Sequence, residues 1–323
     1  MRALRYDGHV HLVGNGLGGS GCWLRLDGMW HRVLGEVMRR TIGLEAKATS
    51  PEFDQGFVEH LAGLLAGSSL DAALLLAQDE VYDEEGRKLD FGSFYVPNEH
   101  LFQVCRRHPA FVPAVSIHPG RKDALEELER CLAGGARALK LLPNCQNVDC
   151  SSPRYEEFWR RMAAAELPFL CHTGGEMTVP VINRAYQDPR ILRRPLELGV
   201  KVIAAHAAGN SHFFDRNHFG ELVRLMDEFP RLYADTSALN SPIRSGVLKQ
   251  VKESGRTGRF LHGSDFPVPV GALWARLRGL ITTAQWREAS TIANLLERDA
   301  YLKRAMGFDD GHFTRLGEIL RPL

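Results

Sequence analysis

The stretch Asp7-Gly8-His9-Val10-His11 ends a short run near the N-terminus that predicts a β-strand. Because residues i and i+2 of a strand point to the same side, His9 and His11 present two imidazoles together. Two imidazoles on one side of a strand supply half of a metal site. A single His-x-His pair is a weak signal, so the other ligands must be sought later in the chain.

Three further candidate ligands follow later strand-like runs. His172 follows the apolar run in LPFLCHTGGE, and His206 follows the apolar run in VKVIAAHAAG. Asp265 lies near the end of RFLHGSDFP. Each would stand at the carboxyl end of its strand, where barrel enzymes carry their active sites. A buried neutral histidine is costly unless its nitrogens find partners, so several such groups in one place need a common ligand. A divalent cation would satisfy them together.

The donor types narrow the choice of metal. Imidazole and carboxylate suit zinc, manganese, iron or cobalt, and soft ligands are too few for copper or an iron–sulfur cluster. We expect a divalent ion with zinc as the leading candidate.

The rhythm of the chain predicts eight strands with helical segments between them. Leu125, Leu128 and Leu132, for example, have the spacing of an amphipathic helix. Eight β and α units within roughly 270 residues have the size of a (β/α)8 TIM barrel, here distorted, and residues 271–323 add a C-terminal helical extension. No Pro/Ser-rich linker interrupts the sequence, so we expect a single domain over residues 1–323. The predicted strands end near His11, Gln78, Pro119, Pro143, Gly174, Gly209, Ala238 and Pro267.

Composition and charge restrict the class of partner. With 40 basic and 39 acidic residues the formal net charge is +1, which argues against nucleic-acid binding through counterion release. The sequence shows neither a membrane-spanning apolar run nor a signal-peptide pattern, so we expect a protein of the cytoplasm. Six scattered cysteines without CxxC spacing fit reduced thiols. The expected partner is a small-molecule substrate, and a homodimer is compatible with the helical extension.

The finer spelling of the strand ends carries a family resemblance. The segments are DGHVHL, VPNEHL, SIHP, LKLLPN, HTGGE, AHAA, ADTSA and GSDFP, and they span residues 7–267. In this order they resemble the amidohydrolase superfamily, and within it the amidohydrolase-related branch of aminocarboxymuconate-semialdehyde decarboxylase-like and lactonase-like enzymes. The resemblance implies a barrel in which His9, His11, His172 and Asp265 hold the metal. His206 would either bind a metal or contact the activated water and the substrate.

Lys140 ends the fourth predicted strand. Members of the superfamily with two metals carry a carboxylated lysine at this place, which bridges the ions. Burial disfavours a bare ammonium, so a carbamate is one reading of Lys140. The other is an unmodified lysine that contacts the substrate or supports the structure beside a single ion. The sequence is therefore compatible with either one or two bound ions.

Asp265 and His206 are the expected catalytic residues. A carboxylate that touches both metal and water can take the proton from the water and hand it to the leaving group, so Asp265 is the expected general base. The alternative for Asp265 is a helix N-cap after GSD. Glu176 and Asp235 are expected to contact the substrate or to support the metal ligands, with a solvated loop acid as the alternative. His118 would bind an anionic group of the substrate or else hydrogen-bond a neighbouring loop.

The leading hypothesis is a metal-dependent hydrolase that acts on a small amide, lactone or ester through a metal-activated water. The alternative is a metal-dependent decarboxylase of a small unsaturated or aromatic carboxylic acid. That reaction would need a basic partner for the carboxylate, from Arg184, Arg193, Arg194 or Arg244. A barrel kept only as a binding scaffold is a third possibility, which the complete set of ligand types argues against.

Overall fold

The fold is a barrel of eight parallel strands. The structure is a computed structural model that describes residues 2–26, 28–212 and 214–322. The strands pair in chain order, and they are β1 (Tyr6–His11), β2 (Ala72–Leu76), β3 (Phe111–Val115), β4 (Ala138–Leu141), β5 (Phe169–Cys171), β6 (Val202–Ala204), β7 (Leu232–Asp235) and β8 (Phe260–Leu261).

Backbone hydrogen bonds close the barrel between its first and last strands. The Gly8 N–H donates to the His262 carbonyl at 2.9 Å, and the His11 N–H donates to the Phe266 carbonyl at 2.8 Å. Closure leaves no free edge in this sheet. The predicted TIM barrel is therefore confirmed and all eight predicted strands are present, but β3, β6 and β8 end four to six residues before the predicted ends near Pro119, Gly209 and Pro267.

Alternation along the strands separates the barrel interior from the layer beneath the helices. In β4, Leu139 and Leu141 belong to the core between sheet and helices, whereas Ala138 lies in the interior cluster. Lys140, two residues after Ala138, points inward and contacts His9. All five residues of β2 are buried, as expected of a parallel strand that is covered on both faces.

Helices surround the barrel and follow it. In the described part of the chain they are α1 (Gly28–Thr41), α2 (Phe53–Ala66), α3 (Asn98–Arg107), α4 (Ala124–Ala133), α5 (Pro143–Gln146), α6 (Glu156–Ala164), α7 (Arg193–Glu197), α8 (Phe219–Glu228), α9 (Ser245–Glu253), α10 (Ala272–Leu277), α11 (Thr283–Thr291), α12 (Leu295–Ala305), α13 (Asp310–Thr314) and α14 (Leu316–Ile319). Short 3-10 turns occupy Pro153–Tyr155, Arg184–Gln187, Pro189–Leu192, Ala205–Ala208 and Thr257–Arg259. Two small antiparallel pairs join Trp23–Leu24 to Phe94–Tyr95 and Val81–Tyr82 to Lys88–Leu89. None of the helices in the described residues combines the length and apolarity needed to cross a lipid bilayer.

The C-terminal extension is helical, as predicted, and its start and stop signals are local. Thr282 and Gln285 form a reciprocal capping box at the start of α11, and the Asn294 side chain accepts from two backbone N–H groups of α12. The Asp309 side chain accepts from the His312 N–H at the start of α13.

Helix α14 seals the N-terminal end of the barrel. Tyr6 and Tyr233, near the starts of their strands, pack against the same interior cluster as this helix. The buried members of that cluster are Leu74, Leu76, Ala114, Ala138, Leu170, Ile203, Ala205, Leu261, Leu316, Ile319 and Leu320. The opposite, carboxyl end of the strands is left for the polar residues.

Candidate metal centre

The centre is built on His9, which is wholly buried. Its Nδ1 lies 2.8 Å from Asp235 Oδ2 at the end of β7. A carboxylate accepts, so Nδ1 carries the proton and Nε2 keeps its lone pair free. A histidine oriented in this way by a carboxylate is the usual form of a metal-binding histidine.

The Asp265 carboxylate lies where the free side of His9 points. Its Oδ1 is 3.2 Å from His9 Nε2 and 3.4 Å from His11 Nε2, and its Oδ2 is 4.0 Å from His206 Nδ1. One ligand atom each of His9, His206 and Asp265 lies within 4.8 Å of the others. Two imidazoles and a carboxylate at such separations can converge on one cation.

His172 extends the cluster on its far side. Its Nδ1 lies 3.1 Å from His206 Nε2, while its Nε2 has no hydrogen-bond partner among the described residues. The Nδ1 of His11 is likewise buried and unpartnered within those residues. Unsatisfied buried nitrogens are costly, so this donor set fits a divalent cation.

Burial keeps these imidazoles neutral. Desolvation lowers the pKa of His9 and of His206 well below the usual value of 6.5, and it lowers the pKa of His172 to about 3. Only a neutral imidazole has a lone pair for a metal, so at neutral pH these side chains are in the binding form.

Lys140 lies inside the same cluster. Its side chain is wholly buried, and its Nζ is 3.3 Å from His9 Nε2. Desolvation lowers the pKa of Lys140, and the nearby Asp235 and Asp265 offset this only in part. The six predicted ligands, His9, His11, Lys140, His172, His206 and Asp265, therefore form one continuous set of contacts, and their binding of a metal stays a prediction.

Asp265 and His206 both have unusual backbone conformations. Asp265 has φ 67° and His206 has φ 57°, in the left-handed region that non-glycine residues seldom adopt. Backbone hydrogen bonds hold both: the Asp265 N–H donates to the His9 carbonyl at 2.9 Å, and the His206 N–H donates to Asp235 Oδ1 at 2.8 Å. Such residues persist only where the surroundings fix them, and they concentrate at functional sites.

The cluster opens on a cavity of about 280 Å3. The polar residues that line it include His11, His172, Glu176, His206 and Asp265, together with Arg25 and Arg39. Apolar side chains form much of the remaining wall, among them Val13, Met38, Phe53, Phe57, Phe94, Leu142 and Pro267. A small organic molecule fits a cavity of this size and character.

Glu176 reaches this cavity, as the sequence predicts. Its Oε2 lies 3.6 Å from His172 Nε2, and its Oε1 accepts hydrogen bonds from Met177, Thr178 and Val179 in its own loop. Burial alone would raise the pKa of Glu176, but the Arg244 charge and the hydrogen bonds that its carboxylate accepts from Thr178 outweigh burial and lower that pKa. Glu176 is therefore a fixed negative charge at the cavity wall.

Two predicted substrate contacts lie elsewhere. Both ring nitrogens of His118 bond to backbone, to the Gln146 carbonyl at 2.7 Å and the Gly120 N–H at 3.0 Å, and His118 does not line the cavity. Asp235 lies behind the cluster, where it orients His9 and His206 instead of facing a substrate. Strand alternation does not fix His118, because β3 ends at Val115, three residues earlier.

Arg244 is the one of the four candidate arginines that approaches the site. It is buried, its Nη2 donates to the Gly175 carbonyl at 2.7 Å, and its Nη1 has no partner among the described residues. Its charge also contributes to the lowered pKa of Glu176. The other three pair with carboxylates: Arg184 with Asp215, Arg193 with Glu228, and Arg194 with Glu156 and Glu197.

Sequence reasoning missed two supporting residues. The Ser237 hydroxyl lies 2.8 Å from His206 Nδ1 and 3.2 Å from His9 Nδ1, and it donates to Asp235. The buried Asp7 accepts from the Ser264 N–H at 2.8 Å, and burial raises the pKa of Asp7 to about 6. Both residues follow the spacing that identified the His-x-His pair, since Ser237 is two residues after Asp235 and Asp7 two before His9.

Comparisons with known proteins agree with the barrel fold. A family profile described as "Amidohydrolase" matches residues 6–290. An uncharacterised TIM-barrel protein from Bordetella bronchiseptica superposes with a TM-score of 0.58 at 17% identity, covering 94% of this chain and 99% of the other. No curated protein matches this chain in sequence.

Two further solved structures share the fold. A putative 2-pyrone-4,6-dicarboxylic acid hydrolase from Pseudomonas putida has a TM-score of 0.54 at 15% identity, over 96% of this chain and 99% of the other. The 5-carboxyvanillate decarboxylase from Sphingomonas paucimobilis has a TM-score of 0.52 at 13% identity, over 95% of this chain and all of the other, 100%. With the family profile spanning most of its residues, the chain belongs to the amidohydrolase family.

Proposed function

We propose that this protein is a metal-dependent hydrolase of a small amide, lactone or ester. One observation carries the proposal: the Asp265 carboxylate lies against His9 and His11 and faces an apolar cavity that also exposes His172 and His206. Membership of the amidohydrolase family supports it. A divalent ion held there supplies Lewis acidity, which lowers the pKa of a water molecule and polarises a substrate carbonyl.

His9, His11, His172, His206 and Asp265 are the residues that would hold the ion. Zinc is the first candidate, and manganese, iron or cobalt suit the same imidazole and carboxylate donors. The His9 tautomer is already set by Asp235, which leaves Nε2 for the metal.

Asp265 would act as the proton carrier. Its carboxylate is wedged between imidazoles at the edge of the cavity, within reach of a water and of a bound substrate. It would take a proton from the attacking water and return it to the leaving group. His206, whose Nδ1 lies 4.0 Å from Asp265 Oδ2, would either bind a metal or contact the activated water and the substrate.

The cavity wall points to a substrate that is largely apolar and small. Aromatic side chains such as Phe53 and Phe94 exclude water from one side, and Glu176 provides a fixed charge on the other. The number of ions depends on Lys140: a carbamate there would bridge two, whereas an unmodified amine would leave one.

A second candidate is a decarboxylase of a small unsaturated or aromatic carboxylic acid, and Arg244 favours it. Arg244 does not line the cavity, but its guanidinium is buried close to Glu176 and its Nη1 lacks a partner in the described residues, so it would pair with a substrate carboxylate that reaches past Glu176. Arg244 would serve equally a hydrolase whose substrate carries a carboxylate, so product analysis must decide between the reactions.

Elemental analysis and product analysis together test the proposal. We expect one or two divalent ions per chain in the wild type. If Lys140 is a bridging carbamate, the wild type should hold two ions and Lys140→Ala should hold fewer. Lactones, esters, amides and unsaturated acids would be screened for hydrolysis and for CO2 release. Asp265→Asn should lower turnover by about 10²–10⁴-fold, because it removes the proton carrier.

Asp227→Asn is the matched control, since Asp227 pairs with Arg256 on the surface. Absence of bound metal after reconstitution, or full turnover by Asp265→Asn, would contradict the proposal. A homodimer and a cytoplasmic location remain predictions of the sequence.

A further inference from the structure

Lys303 is a fully buried lysine that the proposed chemistry does not use. It lies on α12, in the C-terminal extension, one turn after Asp299. Its Nζ lies 2.5 Å from Asp299 Oδ2 and donates to the Gly263 carbonyl at 2.6 Å. The ammonium thus joins the extension to the segment that leads from β8 to Asp265.

A second contact ties the same ion pair to the loop after β7. Asn240 donates from Nδ2 to Asp299 Oδ1 at 2.6 Å, and its carbonyl accepts from the Gly271 N–H at 3.0 Å. The pair is therefore held from both sides, by α12 and by the loop that follows Asp235. The Lys303 ammonium and the Asp299 carboxylate both have partners, and such a polar network fixes the relative position of the elements it joins.

The segment Gly263–Asp265 is bonded at each of its peptide groups. Lys303 binds the Gly263 carbonyl, Asp7 binds the Ser264 N–H at 2.8 Å, and the His9 carbonyl binds the Asp265 N–H at 2.9 Å. Two of these three bonds come from β1, and the third comes from the C-terminal extension. The Ser264 carbonyl also accepts from the Ala238 N–H, in the loop after β7, at 3.4 Å.

Close packing leaves no room for a side chain at position 263. A Cβ added there would lie 2.8 Å from the Cβ of His9 and 3.2 Å from the Cβ of Ser237. Two residues later Asp265 has φ 67°, a conformation that must be imposed by its neighbours. A shift of the Gly263 peptide would move the Asp265 carboxylate relative to His9.

Stability alone is a weak explanation for the ion pair. Burying a carboxylate and an ammonium costs desolvation that their attraction barely repays, and apolar residues of similar volume often do as well. The direction of the Lys303 hydrogen bond, toward the peptide two residues before Asp265, suggests a more specific role.

We propose that Lys303, with Asp299, is a positioning residue that holds the Asp265 carboxylate in its place in the metal cluster. This inference rests on the proposed function, since it takes Asp265 as a metal ligand. Lys303 acts from the C-terminal extension, so the extension contributes to the site as well as to the closure of the barrel.

Binding of Co2+ tests the inference without a substrate. Metal-free protein would be titrated with Co2+ against a chromophoric chelator, and the visible absorption of the bound ion recorded. We expect Lys303→Met to weaken Co2+ binding by about 10–100-fold, as losses of supporting residues do, and to change the visible spectrum. If Lys303 acts through Asp265, Lys303→Met/Asp265→Asn should bind no more weakly than Asp265→Asn alone.

Lys252→Met is the matched control, because Lys252 also donates to a glycine carbonyl, that of Gly307 at 3.1 Å, but near the surface. It should bind Co2+ like the wild type. If Lys303→Met fails to fold, Lys303→Met/Asp299→Asn removes both buried charges and should show the same altered spectrum and affinity.

The outcomes separate the inference from the proposed function. A Lys303→Met protein with a lowered melting temperature but wild-type affinity and spectrum would overturn the positioning role and leave the proposed function standing. A wild type without stoichiometric Co2+ binding, or an Asp265→Asn variant that binds like the wild type, would overturn the proposed function and the inference with it.

Discussion

The two ends of the barrel interior differ although the same strands build them. On β4, Ala138 belongs to the apolar interior, and Lys140, two residues further, contacts His9. On β5, Leu170 is apolar and His172, two residues on, joins the histidine cluster. One step along the inner face therefore separates the part that packs from the part that carries the chemistry.

The energetic demands on the two ends are opposite. The N-terminal end buries leucine and alanine side chains under α14, and this part of the interior is stabilised by apolar contact. The carboxyl end gathers imidazoles whose buried nitrogens lack partners within the described residues. It also holds residues in the left-handed region, which cost of order 1–3 kcal/mol each. We infer that packing at one end offsets the strain stored at the other.

The largest effect should come from emptying the apolar end. Leu74 is wholly buried in the interior cluster on β2, a strand that supplies no predicted ligand. Leu74→Ala should lower the free energy of unfolding by about 2–5 kcal/mol through lost burial and the cavity left behind. Urea unfolding would measure this loss, and Zn2+ binding by the folded protein should stay as in the wild type.

Leu4→Ala, at a leucine that is half exposed, is the control and should cost no more than about 0.5 kcal/mol. Impaired Zn2+ binding in folded Leu74→Ala would show that the apolar end and the carboxyl end of the barrel are energetically coupled.

A smaller effect is expected from the carboxylate behind the cluster. Asp235 Oδ1 accepts from the N–H groups of His206 and Ser237, so in Asp235→Asn the amide oxygen must stay there and the NH2 group faces His9 Nδ1. That arrangement favours the His9 tautomer with its proton on Nε2, which cannot bind a metal. We expect Zn2+ affinity to fall by about 10–100-fold in competition with a chelator.

Asp227→Asn again serves as the control for this carboxylate. If Asp235→Asn bound Zn2+ as tightly as the wild type, the orientation of His9 by Asp235 would have no part in metal binding.

The last effect is confined to pH values below 6.5 and concerns a histidine at the carboxyl end that lies outside the cluster. The pKa of His118 is lowered from 6.5 to about 4, mainly by burial. As the pH falls from 6.5 to 4 the unfolded chain takes up a proton that the folded protein does not, so His118 lowers the free energy of unfolding by up to about 1.4 kcal/mol per pH unit. Above pH 6.5 this loss is absent.

The change His118→Asn should make that pH dependence shallower, because the titrating group is gone. Urea unfolding of metal-free protein at several values between pH 6.5 and 4 would give the slopes. The difference between the two proteins should persist with Zn2+ present, since His118 has no role in the cluster. Equal slopes in the metal-free proteins would contradict the assignment.

The sequence predicts the barrel well because its signals are local. Buried parallel strands read as continuous apolar runs, and β2, β5 and β6 are such runs. The two-residue period of a strand predicts that His9 and His11 lie on one side, and the positions at strand ends identify His172 and His206 as candidate ligands. These features need no knowledge of distant contacts.

The remaining parts of the site depend on contacts that sequence spacing does not encode. Lys303 meets Gly263 across 40 residues, and a lysine on a helix is ordinarily a solvated side chain. Arg244 precedes α9 in a loop, where no periodicity fixes its direction. His118 follows the end of β3, so the predicted orientation toward the cavity had no strand to enforce it.

The closure of the barrel also sets an order of events during synthesis. β1 is translated first, yet its free edge is bonded only when the carbonyls of His262 and Phe266 appear. Asp265 follows some 250 residues after His11, and Lys303 later still. A ribosome-bound chain therefore displays the paired histidines long before it can offer the carboxylate, and a prematurely terminated product never offers it. The full set of proposed metal ligands therefore exists only in a chain that has been translated past Asp265.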